Sequence, residues 1–417
     1  MPSDDGFERE TLIIFVALAD TSSRTCRRFR PVDMRWHGTI NGRPSAPGDV
    51  GRCCAGGRRL HMIIRKAPDP RSAVCIVCRP ELCIDSSDPD EEEVGPSETK
   101  GRATAAPEVM DGQGHLGVSV VICAYSDRRW QQTCAAVKSV LAQHPPPAEV
   151  LLVVDHNARL AERARSELAD VTILENEGNQ GLSDARNTGL RAASQPITAF
   201  LDDDAEARPG WLASLIEPYR SPDVVGTGGA VLPRWPDTPP RWLPPEFYWV
   251  VGCSYRGLPV SVDPVRNPIG ASMSLQTALT LKVGGFDSVV GRVGTRPTGC
   301  EETELAIRLT AAKSASVILY VPGAVVDHHV GQERLKVKYF LSRCWHEGIS
   351  KSSVVQLAGA SAGLESERRY VTAVLPAALL RNLRHGLTGD MGALMRFAMI
   401  LAGLTSTATG YLSGKMR

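Results

Sequence analysis

Between Val118 and Leu201 the chain alternates four short apolar runs with three helix-patterned segments, and few architectures accept that order. The runs are Val118–Ala124, Glu149–Val154, Val171–Leu174 and Ile197–Leu201. They are continuously apolar and rich in β-branched residues, the pattern of strands buried on both faces of a parallel sheet. The segment from Gln131 to Ala142 places Ala136, Val137, Val140 and Leu141 at helical spacing, and Pro145-Pro146-Pro147 ends it. Leu160–Leu168 and Ser183–Ala193 read as the next two helices. The order β-α-β-α-β-α-β predicts an α/β fold with a Rossmann-like, doubly wound, mainly parallel sheet flanked by helices. Such sheets bind ligands beyond the carboxyl ends of their strands, so the polar residues there carry the most information.

Those ends hold Tyr125-Ser126-Asp127, Asp155-His156-Asn157, the segment Glu175 to Asn179, and Asp202-Asp203-Asp204. Three consecutive carboxylates after a buried strand repel one another unless positive charge compensates. A divalent cation, Mn2+ or Mg2+, is the natural compensator, since both take hard oxygen ligands and accompany phosphates. The alternative is a solvated turn, where Asp is common. Further on, Glu301, Glu302 and Glu304 open a helix, as the dipole favours, and Glu304 can pair with Arg308 one turn later. His328 and His329 follow an apolar strand, whose alternation points only one of them inward. The Pro-rich segment Pro233–Pro245 carries Trp235 and Trp242, which suits either an aromatic flap over a sugar or a loop packed on itself.

Taken in order, these segments resemble family 2 glycosyltransferases of the GT-A fold. The resemblance rests on Val118–Ser126, Asp155, Gly178-Asn-Gln-Gly-Leu-Ser-Asp-Ala-Arg-Asn187 with Gly189, Leu201-Asp-Asp-Asp204, Gly270-Ala-Ser-Met-Ser274 with Gly284-Gly-Phe-Asp287, Gly299–Arg308, and Val326-Asp-His-His329. It covers roughly residues 116 to 345. It implies a nucleotide-sugar donor, with a UDP-hexose first and GDP- or dTDP-sugars left open. By the resemblance, Ala124, Tyr125 and Asp155 contact the nucleotide, with Asn179, Gly181 and Arg186 near the base or diphosphate. Asp202 faces ribose and metal, Asp203 fills the variable middle position, and Asp204 binds the metal with His328. Gly270, Ala271 and Trp242 lie on the acceptor side. The reaction implied is an inverting, metal-dependent transfer of a hexosyl group to an acceptor hydroxyl, with Glu302 as general base and Glu301 second. The family usually has Asp where this chain has Glu302. The acceptor implied is a glycan, a lipid-linked acceptor or a small molecule.

Two other readings are weighed. A sugar-phosphate nucleotidyltransferase carries a Gly-rich basic loop after its first strand, where this chain has Ala124-Tyr-Ser-Asp127. A non-catalytic sugar- or lipid-binding protein has no use for both the acidic triplet and the glutamate pair. Arg343-Cys-Trp345 resembles the Arg-Trp of processive synthases, but the Gln lead-in and the membrane spans of those enzymes are missing.

Three regions are expected: a poorly structured Arg/Gly/Pro-rich extension and linker over 1–115, the glycosyltransferase domain over 116–330, and a helical region over 331–417. The linker includes the acidic run Asp85–Glu93. A hydrophobic share of 43% with 22% charged residues excludes wholesale disorder and a polytopic membrane protein. The 47 basic and 46 acidic side chains leave a net charge of +1, which gives no footprint for nucleic acid. The chain has 11 cysteines, an odd and irregularly spaced set that fits a reducing, cytoplasmic setting. Only one CxxC, Cys75 to Cys78, is present, and Cys53-Cys54 has the wrong spacing to complete a zinc site. The apolar run Leu12–Ala19 has an acidic flank, unlike a secretory signal. Phe397–Gly414 is uncharged and borders on the length of a membrane span. It reads as a buried helix or as one lying against the inner face of a membrane.

Overall fold

The computed structural model describes residues 50–55, 58–65, 75–79, 116–288, 300–358 and 369–416. The chain divides into two units, Met1–Arg102 and Ala103–Arg417. In the first, strands β1 (Val50–Ala55), β2 (Arg58–Arg65) and β3 (Cys75–Arg79) form an antiparallel sheet in the order β1-β2-β3. These strands fall within the region 1–115 read from the sequence as an extension and linker. Leu12–Ala19 and the acidic linker run lie outside the described residues.

The second unit begins with β4 (Val118–Ala124), α1 (Trp130–Leu141), β5 (Glu149–Val154), α2 (Ala158–Glu167), β6 (Thr172–Glu175), α3 (Leu182–Ala192) and β7 (Ile197–Asp202). Strand β4 runs parallel to both β5 and β7, and β5 parallel to β6. One sheet face packs Val120, Ile122, Leu152 and Val154 against Val137 and Val140 of α1 and Leu160 of α2. The other packs Val121, Leu151, Val153 and Phe200 against Ala185 and Leu190 of α3. Each fully buried Val or Leu contributes about 1.5–3 kcal/mol. Gly189 lets α3 lie close to the sheet, because a Cβ there would sit 2.4 Å from Val121 Cγ1.

The chain then adds β8 (Ala205–Ala207), α4 (Trp211–Ile216), β9 (Val224–Arg234), β10 (Asp263–Val265), β11 (Ser272–Gln276), α5 (Thr277–Lys282), α6 (Glu301–Ala312) and β12 (Val317–His329). The sheet order is β10-β12-β9-β11-β7-β4-β5-β6, with β8 paired to β12. Strand β11 is antiparallel to both β7 and β9, so the sheet is mixed, although β12 runs parallel to β9 in its second half. The cause is topological. Strand β9 ends at the same edge as β7, and β11 returns from that edge, which makes it antiparallel to both.

The C-terminal region comprises α7 (Val337–Ala358), a π turn at Tyr370–Val374, α8 (Leu375–Leu387) and α9 (Met391–Lys415). An apolar cluster of Leu243, Phe247, Val250, Phe340, Leu375 and Ile400 ties these helices to the Pro245–Val251 turn. Helices α7 and α9 meet through glycines. A Cβ on Gly348 would stand 2.1 Å from the Thr407 carbonyl oxygen, and one on Gly410 would stand 2.1 Å from that of Trp345. Both obstacles are backbone, so neither can swing aside. Gly410→Ala is expected to destabilise the unit by about 1–3 kcal/mol through overpacking, seen as a lower denaturation midpoint; an unchanged midpoint would mean that α9 is not docked on α7. Among the described residues α9 is the one helix long and apolar enough to cross a membrane by length and composition.

Candidate active site

The carboxyl ends of β4, β5 and β7, the β12 end at His328 and the start of α6 open into one cleft of about 1960 Å3. Ala124, Tyr125, Asp155, Gly181, Arg186, Asp202, Asp203, Asp204, His328, Gly270, Ala271, Glu301 and Glu302 all line it. Asn179 and Trp242 do not. The Asn179 backbone N–H donates to Asp184 Oδ2 at 3.0 Å, while its neighbours Gln180 and Gly181 face the cleft. Trp242 stacks edge-to-face on Phe340 with ring centroids 5.8 Å apart, because the apolar surface of α7 offers its indole a dry partner. Trp249 lines the cleft instead.

At the end of β5 the Asp155 carboxylate is fixed from two directions. Asn176 Nδ2 donates to Oδ1 at 2.7 Å and the Gly181 backbone N–H to Oδ2 at 3.0 Å. The Tyr125 ring, half exposed, carries the Arg129 guanidinium 5.4 Å from its centroid.

The acidic triplet is surrounded by cations. Arg129 donates to Asp203 Oδ1 at 2.8 Å and lies 3.0 Å from Asp204 Oδ2. His328 Nε2 stands 3.3 Å from Asp204 Oδ1, and Arg334 stands 3.6 Å from Asp204 Oδ2. Burial alone would raise the Asp204 pKa, but the charges of His328, Arg129 and Arg334 outweigh it and hold it well below the usual carboxylate range. Asp203 goes the other way: burial and the neighbouring Asp204 charge push it up against the pull of Arg129. Burial would lower the His328 pKa, yet Asp204 overrides it and pushes the imidazole up to about 10. Arg129 and Arg334 were missed in the sequence, so part of the compensation assigned there to a metal is supplied by the chain. The metal-binding geometry is nonetheless present. Asp202, Asp204 and His328 each offer one donor atom within 4.8 Å of the others, the group of this kind found among the described residues. Asp203 Oδ2 is buried without a hydrogen-bond partner in the chain. Two carboxylates and one imidazole suit Mn2+, and the carboxylates suit Mg2+, so the residues fit such an ion. Ligation requires neutral imidazole, so binding has to expel the His328 proton.

Arg186 is buried at 2% exposure and joins the two halves of the site. Its Nη2 reaches Asp202 Oδ1 at 3.3 Å, and its Nη1 reaches Glu301 Oε1 at 3.4 Å and Glu302 Oε1 at 3.2 Å. The sequence placed it beside the nucleotide; its contacts in the structure are to carboxylates. A Cβ on Gly270 would lie 2.0 Å from Glu302 Oε1 and 2.5 Å from Arg186 Nη2, so this position admits only glycine without displacing both. The Glu301 side chain is 4% exposed and that of Glu302 17%, which leaves Glu302 the more accessible to a bound molecule. His329 turns away and meets Glu206 at 2.7 Å. Glu304 accepts from Arg308 Nε at 2.6 Å, the intrahelical pair expected. The cleft also takes in Arg343, Glu347 and Lys351 of α7, of which only Arg343 carried a sequence signal.

A family model described as Glycosyl transferase family 2 matches residues 119–275. A glucosyl-dolichyl phosphate glucuronosyltransferase of Haloferax volcanii is 36% identical over 240 residues, 57% of this chain and 76% of that protein. A pre-mycofactocin glycosyltransferase of Mycobacterium tuberculosis is 28% identical over 160 residues, and there the match spans 32% of the relative's length. Among solved structures, a mannosyltransferase from Pyrobaculum calidifontis in complex with GDP-Man and Mn2+ is similar over 71% of this chain and 87% of that one, at 16% identity and a TM-score of 0.47. The sequence match to the Haloferax protein settles the family: the chain belongs to glycosyl transferase family 2 and is a glycosyltransferase.

Proposed function

We propose that the protein transfers a hexosyl group from a nucleotide-sugar, a UDP-sugar first, to an acceptor hydroxyl with inversion at the anomeric carbon. The observation that carries this reading is the convergence of Asp202, Asp204, His328 and Glu302 on one cleft, with Arg186 between them. Asp155, Tyr125 and Ala124 hold the nucleoside. A divalent cation on Asp202, Asp204 and His328 would neutralise charge on the departing diphosphate. Arg186 fixes Glu302 at the cleft wall. Glu302 accepts the proton of the acceptor hydroxyl as its oxygen bonds to the anomeric carbon and the bond from that carbon to the diphosphate breaks. Attack from the face opposite the leaving group inverts the centre. The name of the Haloferax relative supports a lipid-linked acceptor over a free glycan or small molecule. Exposed Leu380, Leu383 and Leu387 of α8 and Met395, Leu401 and Leu412 of α9 support contact with the inner face of a membrane.

A screen of nucleotide-sugars for release of nucleoside diphosphate tests this. Release from one of them with manganese, lost on chelation, is the expected result. Binding of UDP that calorimetry finds indifferent to metal, with no donor turned over, would remove the reading. Turnover of UTP with a sugar phosphate would point to nucleotidyl transfer instead.

A further inference from the structure

Two arginines neutralise the acidic triplet, and they are held differently. Arg334 is buried; its Nη1 donates to the Val251 carbonyl oxygen at 3.1 Å, and its Nη2 stands 3.6 Å from Asp204 Oδ2. A backbone carbonyl therefore fixes that guanidinium whatever Asp204 binds. Arg129 is fixed mainly through its own backbone. Its N–H donates to the Ser126 carbonyl oxygen at 3.1 Å, and its carbonyl oxygen accepts from Thr133 Oγ1 at 3.1 Å. The side chain is 24% exposed and lines the cleft from the short turn Asp127–Arg129. Nη1 alone reaches both Asp203 Oδ1, at 2.8 Å, and Asp204 Oδ2, at 3.0 Å. The other support of the guanidinium is the ring of half-exposed Tyr125. Most of its five N–H donors are thus uncommitted among the described residues.

Electrostatics gives this difference a use. Asp204 already faces His328, Arg129 and Arg334. A dication brought to Asp202, Asp204 and His328 would meet those cations at close range, where burial strengthens repulsion. The repulsion falls if one cation can leave, and Arg129 is the one that no backbone carbonyl retains. A diphosphate arriving with the metal supplies an anion to which a guanidinium pairs well. We propose that Arg129 is an exchangeable counter-ion. It neutralises Asp203 and Asp204 before the donor binds, then crosses to the donor's diphosphate as the metal takes over that neutralisation. Metal and diphosphate consequently strengthen each other's binding, and the coupling is reciprocal. The identity of the anion rests on the transferase reading above, whereas the exchange is read from manganese alone.

Manganese alone, UDP at saturating manganese, and uridine are titrated calorimetrically into the full chain, Arg129→Ala and Arg129→Lys. Arg129→Ala should bind manganese alone about tenfold tighter, because a competing cation is gone, and UDP with manganese about tenfold weaker, because the diphosphate loses its partner. Uridine has no phosphate and should bind as in the native chain, which checks folding. Arg129→Lys keeps a charge without the planar fork, so manganese alone should stay near its native affinity while UDP weakens several-fold. Weaker binding of both manganese and UDP by Arg129→Ala, with uridine unchanged, overturns the proposal, since the arginine would then hold the carboxylates in place. Tighter manganese with native UDP affinity also overturns it, leaving a counter-ion that never meets the donor. Should Arg129→Ala lose uridine binding as well, Arg129→Lys decides: native affinity for both manganese and UDP overturns the exchange. Native UDP binding indifferent to manganese, with Arg129→Ala still tightening manganese, overturns the transferase reading and leaves Arg129 as the metal's competitor.

Discussion

Glu302→Gln is expected to lower kcat by about 10²–10⁴-fold, the range of a lost general base, while donor affinity stays near the wild-type value. The amide keeps the shape and can still meet Arg186, but it cannot accept the acceptor's proton. Glu302→Asp should retain more activity than the amide, because the carboxylate survives and only its reach is shortened. Glu301 provides the internal comparison. Its side chain is more buried than that of Glu302, so Glu301→Gln should disturb Arg186 and lower activity less. Steady-state release of nucleoside diphosphate, with kcat and donor KM separated, decides the matter. Retention of more than a tenth of kcat in Glu302→Gln, with loss in Glu301→Gln, would move the base to Glu301.

Asp204→Asn should weaken manganese-dependent donor binding by more than about 100-fold, given that losing even an outer partner of a ligand costs 10–100-fold. Turnover should fall below detection. The substitution has a second signature. In the native chain the Asp204 charge keeps His328 protonated up to about pH 10. Protons therefore compete with the metal, and manganese affinity should rise with pH across the neutral range. In the Asn variant His328 loses the partner that raises its pKa, so that pH dependence should flatten. Calorimetric titration of manganese at several pH values reads both effects. An Asp204→Asn variant with native metal affinity would place the cation elsewhere.

The donor half was legible because its signals are local. Continuous runs such as Val118–Ala124 announce buried parallel strands, and the polar residues just beyond them fall at one sheet edge whatever the loops do. Strand β11 was not legible as a strand direction, since Ser272-Met-Ser-Leu-Gln carries no mark of the edge from which it is entered. The partners of the acidic triplet were missed for a related reason. Arg129 and Arg334 lie roughly 75 and 130 positions from it, in short turns where arginine reads as a solvated residue. Trp242 was left between two readings because an aromatic in a Pro-rich loop looks the same in sequence whether it faces a sugar or Phe340. Glu347 and Lys351 of α7 show the converse: charges at helical spacing are ordinary on a surface and stand out only when the helix wall turns out to be the side of a cleft.

Arg186 has a consequence for anyone redesigning this protein. One guanidinium is shared among Asp202, Glu301 and Glu302, so in the proposed reaction the carboxylate on the leaving-group side and the pair on the attacking side are held as one coupled set. On that proposal, remodelling the surroundings of Asp202 should displace the glutamate pair as well, through the shared guanidinium. Libraries that vary the two sides independently will therefore contain mostly inactive members unless the arginine is varied with them.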